Sequence, residues 1–196
     1  MLEHIIPFAL FVAAMTGTPG PGNLAMLAIG QNGGYRAALP FLMGAVLGFL
    51  SLNCLVGFGL GEIFATSPVL SNVVKVLGLA YIIYLGAKIL RLQLREPDRA
   101  GSFSLWEGLM VHPLSPKSWA MSLVAFGQFS DPGADLVSQA LLFAGVFLFG
   151  QFLFHSLWCL AGAGILKLLR GGRVLQAVNA CVALLMVSST AWALFL

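Results

Sequence analysis

The sequence predicts an all-α polytopic membrane protein: six transmembrane helices in two inverted three-helix repeats, the first helix of each repeat broken by prolines. Three observations predict it. Apolar residues make up 59% of the 196 residues and charged residues only 9%, with a mean hydropathy of +0.95. A soluble domain carries roughly 25% charged residues, so this chain has too little polar surface to face water. Six apolar runs, each near or above the ~20 residues that a spanning helix needs, are joined by short connections. Two of these runs are interrupted by paired prolines at corresponding places.

The first run covers residues 5–29. The segment before it, Met1-Leu2-Glu3-His4, has no Lys or Arg. That is a poor n-region for a cleaved signal peptide, so the run is expected to remain as a span. It is interrupted by Thr18-Pro19-Gly20-Pro21-Gly22-Asn23. Proline removes a backbone donor and clashes with the preceding turn, while glycine permits non-helical angles. Local unwinding is therefore expected here. The second and third runs, 37–60 and 69–90, follow with no such break.

The fourth run, 105–129, is interrupted by His112-Pro113-Leu114-Ser115-Pro116-Lys117. The fifth, 136–168, is longer than a perpendicular span and is expected to tilt or protrude at its basic end. The sixth covers 174–196. Pro21-Gly22-Asn23-Leu24-Ala25-Met26 can be laid on Pro116-Lys117-Ser118-Trp119-Ala120-Met121. The chain thus divides into one transmembrane domain of two halves, 1–98 and 99–196. Three spans per half make the second half insert upside down relative to the first, an architecture whose paired broken helices point to a site near the midplane.

Connections alternate in charge. Arg36 lies in the first, Lys88, Arg91, Arg95 and Arg99 around the third, and Lys167, Arg170 and Arg173 around the fifth. Glu62, and then Asp131 with Asp135, mark the other two. The positive-inside rule turns the basic connections to the cytoplasm and both termini to the periplasm of a bacterial inner membrane. The net charge of +3 is thereby assigned to membrane orientation, and no nucleic-acid partner is expected. Lys75, near the outer end of the third run, is expected to snorkel toward Glu62.

Cys54, Cys159 and Cys181 stand apart, with no C-x-x-C. Neither a disulfide framework nor a metal site is expected, and no cofactor. No Walker A loop is present, so ATP is not the direct energy source. Acidic residues sit at span ends and the histidines are scattered, which argues against an intramembrane enzyme acting on lipid-linked substrates. A non-transporting membrane subunit would have no reason to carry two polar breaks in apolar helices.

At Thr18-Pro19-Gly20-Pro21 the chain resembles the LysE/RhtB family of bacterial amino-acid exporters. The resemblance continues through Gly33-Gly34-Tyr35-Arg36, residues 77–86, Ser115-Pro116-Lys117-Ser118-Trp119 and Phe126-Gly127-Gln128-Phe129. It implies six spans and secondary export of amino acids or small derivatives, driven by the proton gradient or membrane potential.

A zwitterionic amino acid needs a cation for its carboxylate and an acceptor for its ammonium. Half-helices restarting after Pro21 and Pro116 offer free N–H groups and a positive dipole end, and Lys117 adds a full charge. The expected substrate-binding set is therefore Thr18, Pro19, Gly20, Pro21, Asn23, Pro116 and Lys117. Unwound carbonyls near residues 17–20 and 112–114 are the expected acceptors for the ammonium. Few buried carboxylates are in reach, so a neutral substrate side chain is favoured. His112 and His155 are candidates for proton coupling. Asn53 and Asn179 are expected to hydrogen-bond between helices. Gly44-x-x-x-Gly48 and Gly57-x-x-x-Gly61 are expected to pack helices inside one protomer; the oligomeric state is left open.

Overall fold

A computed structural model describes residues 2–91, 103–131, 133–168 and 172–195. Among the described residues all regular structure is helical. Arg95, Arg99 and Arg170 of the basic connections lie outside them, as does the side chain of Lys167.

Helix α1 (Leu2–Gly17) ends at the first proline break, and α2 (Pro21–Leu55) starts with Pro21 in its first turn. A π-helical turn (Val56–Leu60) and α3 (Gly61–Thr66) prolong α2. Together Pro21–Thr66 holds 46 residues, about 69 Å at 1.5 Å per residue. That is more than twice the ~30 Å hydrocarbon core of a bilayer. The length is divided at Gly34, where φ is 71° and ψ −175°. Only glycine adopts such angles without strain. The connection expected between the first two runs is therefore condensed into one residue.

Helix α4 (Pro68–Arg91) is followed by α5 (Leu105–Val111) and α6 (Pro116–Phe129), which flank the second break. Helices α7 (Leu136–Leu168) and α8 (Gly172–Phe195) complete the chain. Among the described residues four stretches are long and apolar enough to cross a membrane: Pro21–Thr66, Pro68–Arg91, Val137–Ile165 and Arg173–Trp192. The breaks divide the first and fourth runs into shorter helices, which is why those runs do not stand as single long ones.

The ends of these helices are chemically marked. Ser104 and Glu107 form a reciprocal capping box at the start of α5. Asp135 accepts from the backbone N–H and the hydroxyl of Ser138 at the start of α7. Those bonds, the backbone one foremost, hold its carboxyl below the usual carboxylate range.

Glycine sets the closest approaches between helices. A Cβ on Gly30 would lie 2.1 Å from the Cys159 carbonyl, and one on Gly162 would lie 2.0 Å from that of Leu27, so α2 and α7 cross backbone to backbone. Gly44, Gly48 and Gly108 do the same between α2 and α5. Gly57 and Gly61 press on Phe126 and Leu123 of α6. Both small-residue spacings thus pack within the chain.

One core cluster gathers α2 with α4, α7 and α8 around Phe41, Leu42, Ile82, Leu85, Ile89 and Met186. A second gathers Phe8, Phe49, Leu52, Trp119, Phe143 and Phe147. Large apolar side chains such as Ile6, Leu10, Val76, Phe149 and Leu184 are outward and exposed, the inside-out distribution expected when the solvent is lipid.

Two expectations are corrected. Asn53 bonds weakly back to its own helix, at 3.4 Å from the Phe49 carbonyl, rather than to a neighbour. No salt bridge joins Lys75 to Glu62 among the described residues; Glu62 lies exposed at the start of α3. Asn179 does bond between helices, accepting from Gln31 Nε2 at 2.9 Å.

Candidate functional site

The two proline breaks meet. A small cavity of about 30 Å³ is lined from both breaks and from α7. Beside it lies a larger cavity of about 220 Å³. Gly20, Pro21, Ser115 and Lys117 line both. The larger also takes in Pro19, Pro116 and, from α8, Ser189 and Thr190. Every residue expected to bind substrate therefore lines one cavity or both, and His112 and His155 line the smaller one.

Each break is shaped by its own sequence. After Gly17 the chain leaves the helix, and Gly20 is extended with φ −157° and ψ 172° before α2 begins. Ser115 holds the same place before α6, also extended. Pro21 and Pro116 follow as first-turn residues, where a missing N–H costs nothing. Neither Gly20 nor Ser115 caps its helix with a side chain. Two uncapped, positive helix starts therefore face one cavity region.

The carbonyls freed by the first break are held by protein donors. Asn23 Nδ2 donates to the Thr16 carbonyl at 2.7 Å and the Thr18 carbonyl at 2.9 Å. Trp158 of α7 donates to the Gly17 carbonyl at 3.1 Å. At the second break Trp119 donates to the Pro113 carbonyl at 2.9 Å. These indole donors had no local sequence signal, because the carbonyls they satisfy are defined only once the helices have broken. Carbonyls at Gly17, Thr18 and Pro113, expected from sequence to receive an ammonium, are thus engaged by donors of the chain itself.

Lys117 bridges the breaks. Its Nζ donates to Thr18 Oγ1 at 2.8 Å and approaches the Thr18 carbonyl at 3.5 Å. A Cβ on Gly20 would stand 3.4 Å from this ammonium, so glycine leaves room for it. Among the described residues no acidic side chain lines either cavity. Among the described residues Lys117 is held by neutral oxygens, which leaves its charge available to an anion.

Behind it the polar groups continue inward. His155 Nδ1 lies 2.6 Å from Asn23 Oδ1, His155 Nε2 lies 3.2 Å from His112 Nε2, and His112 Nδ1 lies 2.9 Å from Ser118 Oγ. All four residues are buried. A Cβ on Gly22 would come within 3.0 Å of the His155 ring. Gly22 is thus a site residue that sequence reasoning passed over, and its signal was the glycine that follows Pro21.

The chain matches the family model described as LysE type translocator over residues 13–194. It is 30% identical over 197 residues to the leucine efflux proteins of Salmonella choleraesuis (strain SC-B67) and Salmonella typhimurium (strain LT2), covering 93% of this chain and 89% of each relative. It is also 28% identical to a membrane protein of Vibrio cholerae serotype O1, over 72% of this chain and 70% of that one. No solved structure matches the chain.

Proposed function

From the premise that this chain belongs to the LysE type translocator family, and is a membrane transporter rather than an enzyme, we propose that it exports amino acids with neutral side chains across a bacterial inner membrane, driven by protons. The observation that carries the reading is Lys117 at the junction of the two breaks, 2.8 Å from Thr18. A substrate carboxylate draws Lys117 off Thr18 and settles between that ammonium and the uncapped starts of α2 and α6. The larger cavity, with its prolines, Ser189 and Thr190, receives the substrate's side chain. With no carboxylate lining the site among the described residues, a second positive charge on a lysine or arginine substrate would be buried without a partner. The relatives named for leucine efflux support a neutral cargo.

Six spans in two inverted halves, 1–98 and 99–196, are part of the same proposal. Its support is cross-packing between the halves. The helix restarting after the first break packs on α7 through Gly30 and Gly162, and the helix entering the second break packs on α2 through Gly108 and Gly44. The third helix of each half meets the other where Gly86 faces Ala183. Alternating access then amounts to rocking of one half against the other around the shared breaks, with both termini periplasmic.

The test is uptake of labelled leucine into inverted membrane vesicles, which corresponds to export from cells. Wild-type vesicles should accumulate leucine when energised, and Lys117→Ala vesicles with equal protein content should not. Accumulation unchanged by Lys117→Ala would remove the site assignment. Absence of uptake for every neutral amino acid tried would remove the function.

A further inference from the structure

The buried row Asn23, His155, His112, Ser118 allows a single arrangement of its hydrogens when both rings are neutral. Both amide hydrogens of Asn23 are spent on the carbonyls of Thr16 and Thr18, which only accept. The oxygen of Asn23 therefore faces His155, and His155 Nδ1 must carry a hydrogen. A neutral His155 then has an accepting Nε2. His112 must donate to it from Nε2, which leaves His112 Nδ1 as an acceptor for the Ser118 hydroxyl. The tautomers of both rings are set by two main-chain carbonyls on the far side of Asn23.

We propose that the His112–His155 pair is a one-proton site, and that its proton exchanges against the ammonium group of the transported amino acid. The proposal rests on the amino-acid exporter reading above. One added proton, delivered from water, has a place to go. It bonds to His112 Nδ1 while the Ser118 hydroxyl turns to accept, and the hydrogen between the two Nε2 atoms stays shared. No other bond is broken, and the pair gains one positive charge. A second proton has no place, because it would set two N–H groups against each other across 3.2 Å in a buried site.

Charge makes proton and substrate alternatives. Asn23 and Phe49 of α2 and Ser118 of α6 touch the pair, Thr16 of α1 and Gln151 of α7 line the cavity with it, and none carries a charge. Lys117 is the charged side chain among the residues that line this cavity. A substrate carboxylate offsets Lys117, but the ammonium beside it adds a new positive charge. Both rings line the smaller cavity, so an ammonium entering it stands against them. A protonated pair repels that ammonium, and a neutral pair leaves it room. Substrate bound from one side therefore expels the proton, as export coupled to proton entry requires.

The chain has three histidines, so ring-nitrogen NMR can follow each. In ¹⁵N-histidine protein carrying H4N, high pH should show hydrogen on Nδ1 of His155 and on Nε2 of His112, and acidification should add one proton to the pair in total. Two protons taken up, independent titration, or the opposite tautomers would overturn the one-proton site. Leucine binding measured in buffers of different ionisation enthalpy should release close to one proton well below the pair's midpoint and about half a proton at that midpoint. Below it the Kd should rise about tenfold per pH unit. Leucine that binds with no proton release would overturn the exchange and leave the exporter reading standing. If no amino acid binds or is exported, the exporter reading and the exchange both fall, and the NMR titration still decides the one-proton site.

Discussion

At Gly22 the fit of a single hydrogen matters, because a methyl group there would stand 3.0 Å from His155 Cε1. Gly22→Ala should shift the ring off Asn23 and His112 while the helix still forms, lowering leucine uptake by roughly tenfold with little loss of melting temperature. Uptake at the wild-type rate in vesicles would show that the ring's position does not matter. Asn23 carries more structure: Asn23→Ala leaves the Thr16 and Thr18 carbonyls without their donor. That should cost about 1–3 kcal/mol, read as a lower thermal midpoint of the purified protein. Much at this scale was legible in the sequence. The prolines and glycines of both breaks announce themselves by what they forbid to a helix, and Lys117 by the cost of a charge among apolar residues. His155 and His112 stood out as polar groups without a local role. Their partnership was not legible, since 43 residues separate them and only the fold brings the rings together. Trp158 was hidden for the same reason.

Helices here touch through glycine, and the contacts differ in how much they forgive. A Cβ on Gly108 would meet the Phe41 carbonyl at 2.0 Å, backbone against backbone, so neither side can yield locally. Gly145, on α7, has nothing within 4 Å of its added Cβ. Gly108→Ala should force α5 away from α2 at a cost of about 1–3 kcal/mol or more, and Gly145→Ala should be neutral or slightly stabilising. Thermal midpoints of the two variants in detergent decide it, and equal values would contradict the packing. The glycine spacings in α2 were readable as close-packing sites, but their partner was not: sequence spacing names a helix face and leaves its neighbour unnamed. The fifth run was read as 136–168, matching α7, because apolar periodicity ends where polar and basic residues begin. The first connection, which the sequence places between the runs 5–29 and 37–60, is a single glycine at Gly34, since Gly33-Gly34 signals a turn without giving its length.

For the whole molecule, charge placement argues an orientation: basic connections inward, the Asp131–Asp135 connection outward. In a cysteine-free background, Gly133→Cys should react with an impermeant maleimide in intact spheroplasts, and Arg36→Cys only after the membrane is opened. The reverse pattern would invert the topology and with it the direction assigned to the site. The proposed transport depends on the meeting of the two proline breaks holding an amino acid by its carboxylate through Lys117. Removing a charge-assisted hydrogen bond costs about 1.5–3 kcal/mol, roughly ten- to a hundredfold in affinity. The most direct measurement is equilibrium binding of leucine and of leucinamide, which lacks the carboxylate, to purified wild-type and Lys117→Ala protein. Leucine should bind the wild type at least tenfold more tightly than leucinamide does, and Lys117→Ala should erase the difference. Equal binding of the two ligands by the wild type, or a preference that survives Lys117→Ala, would contradict it.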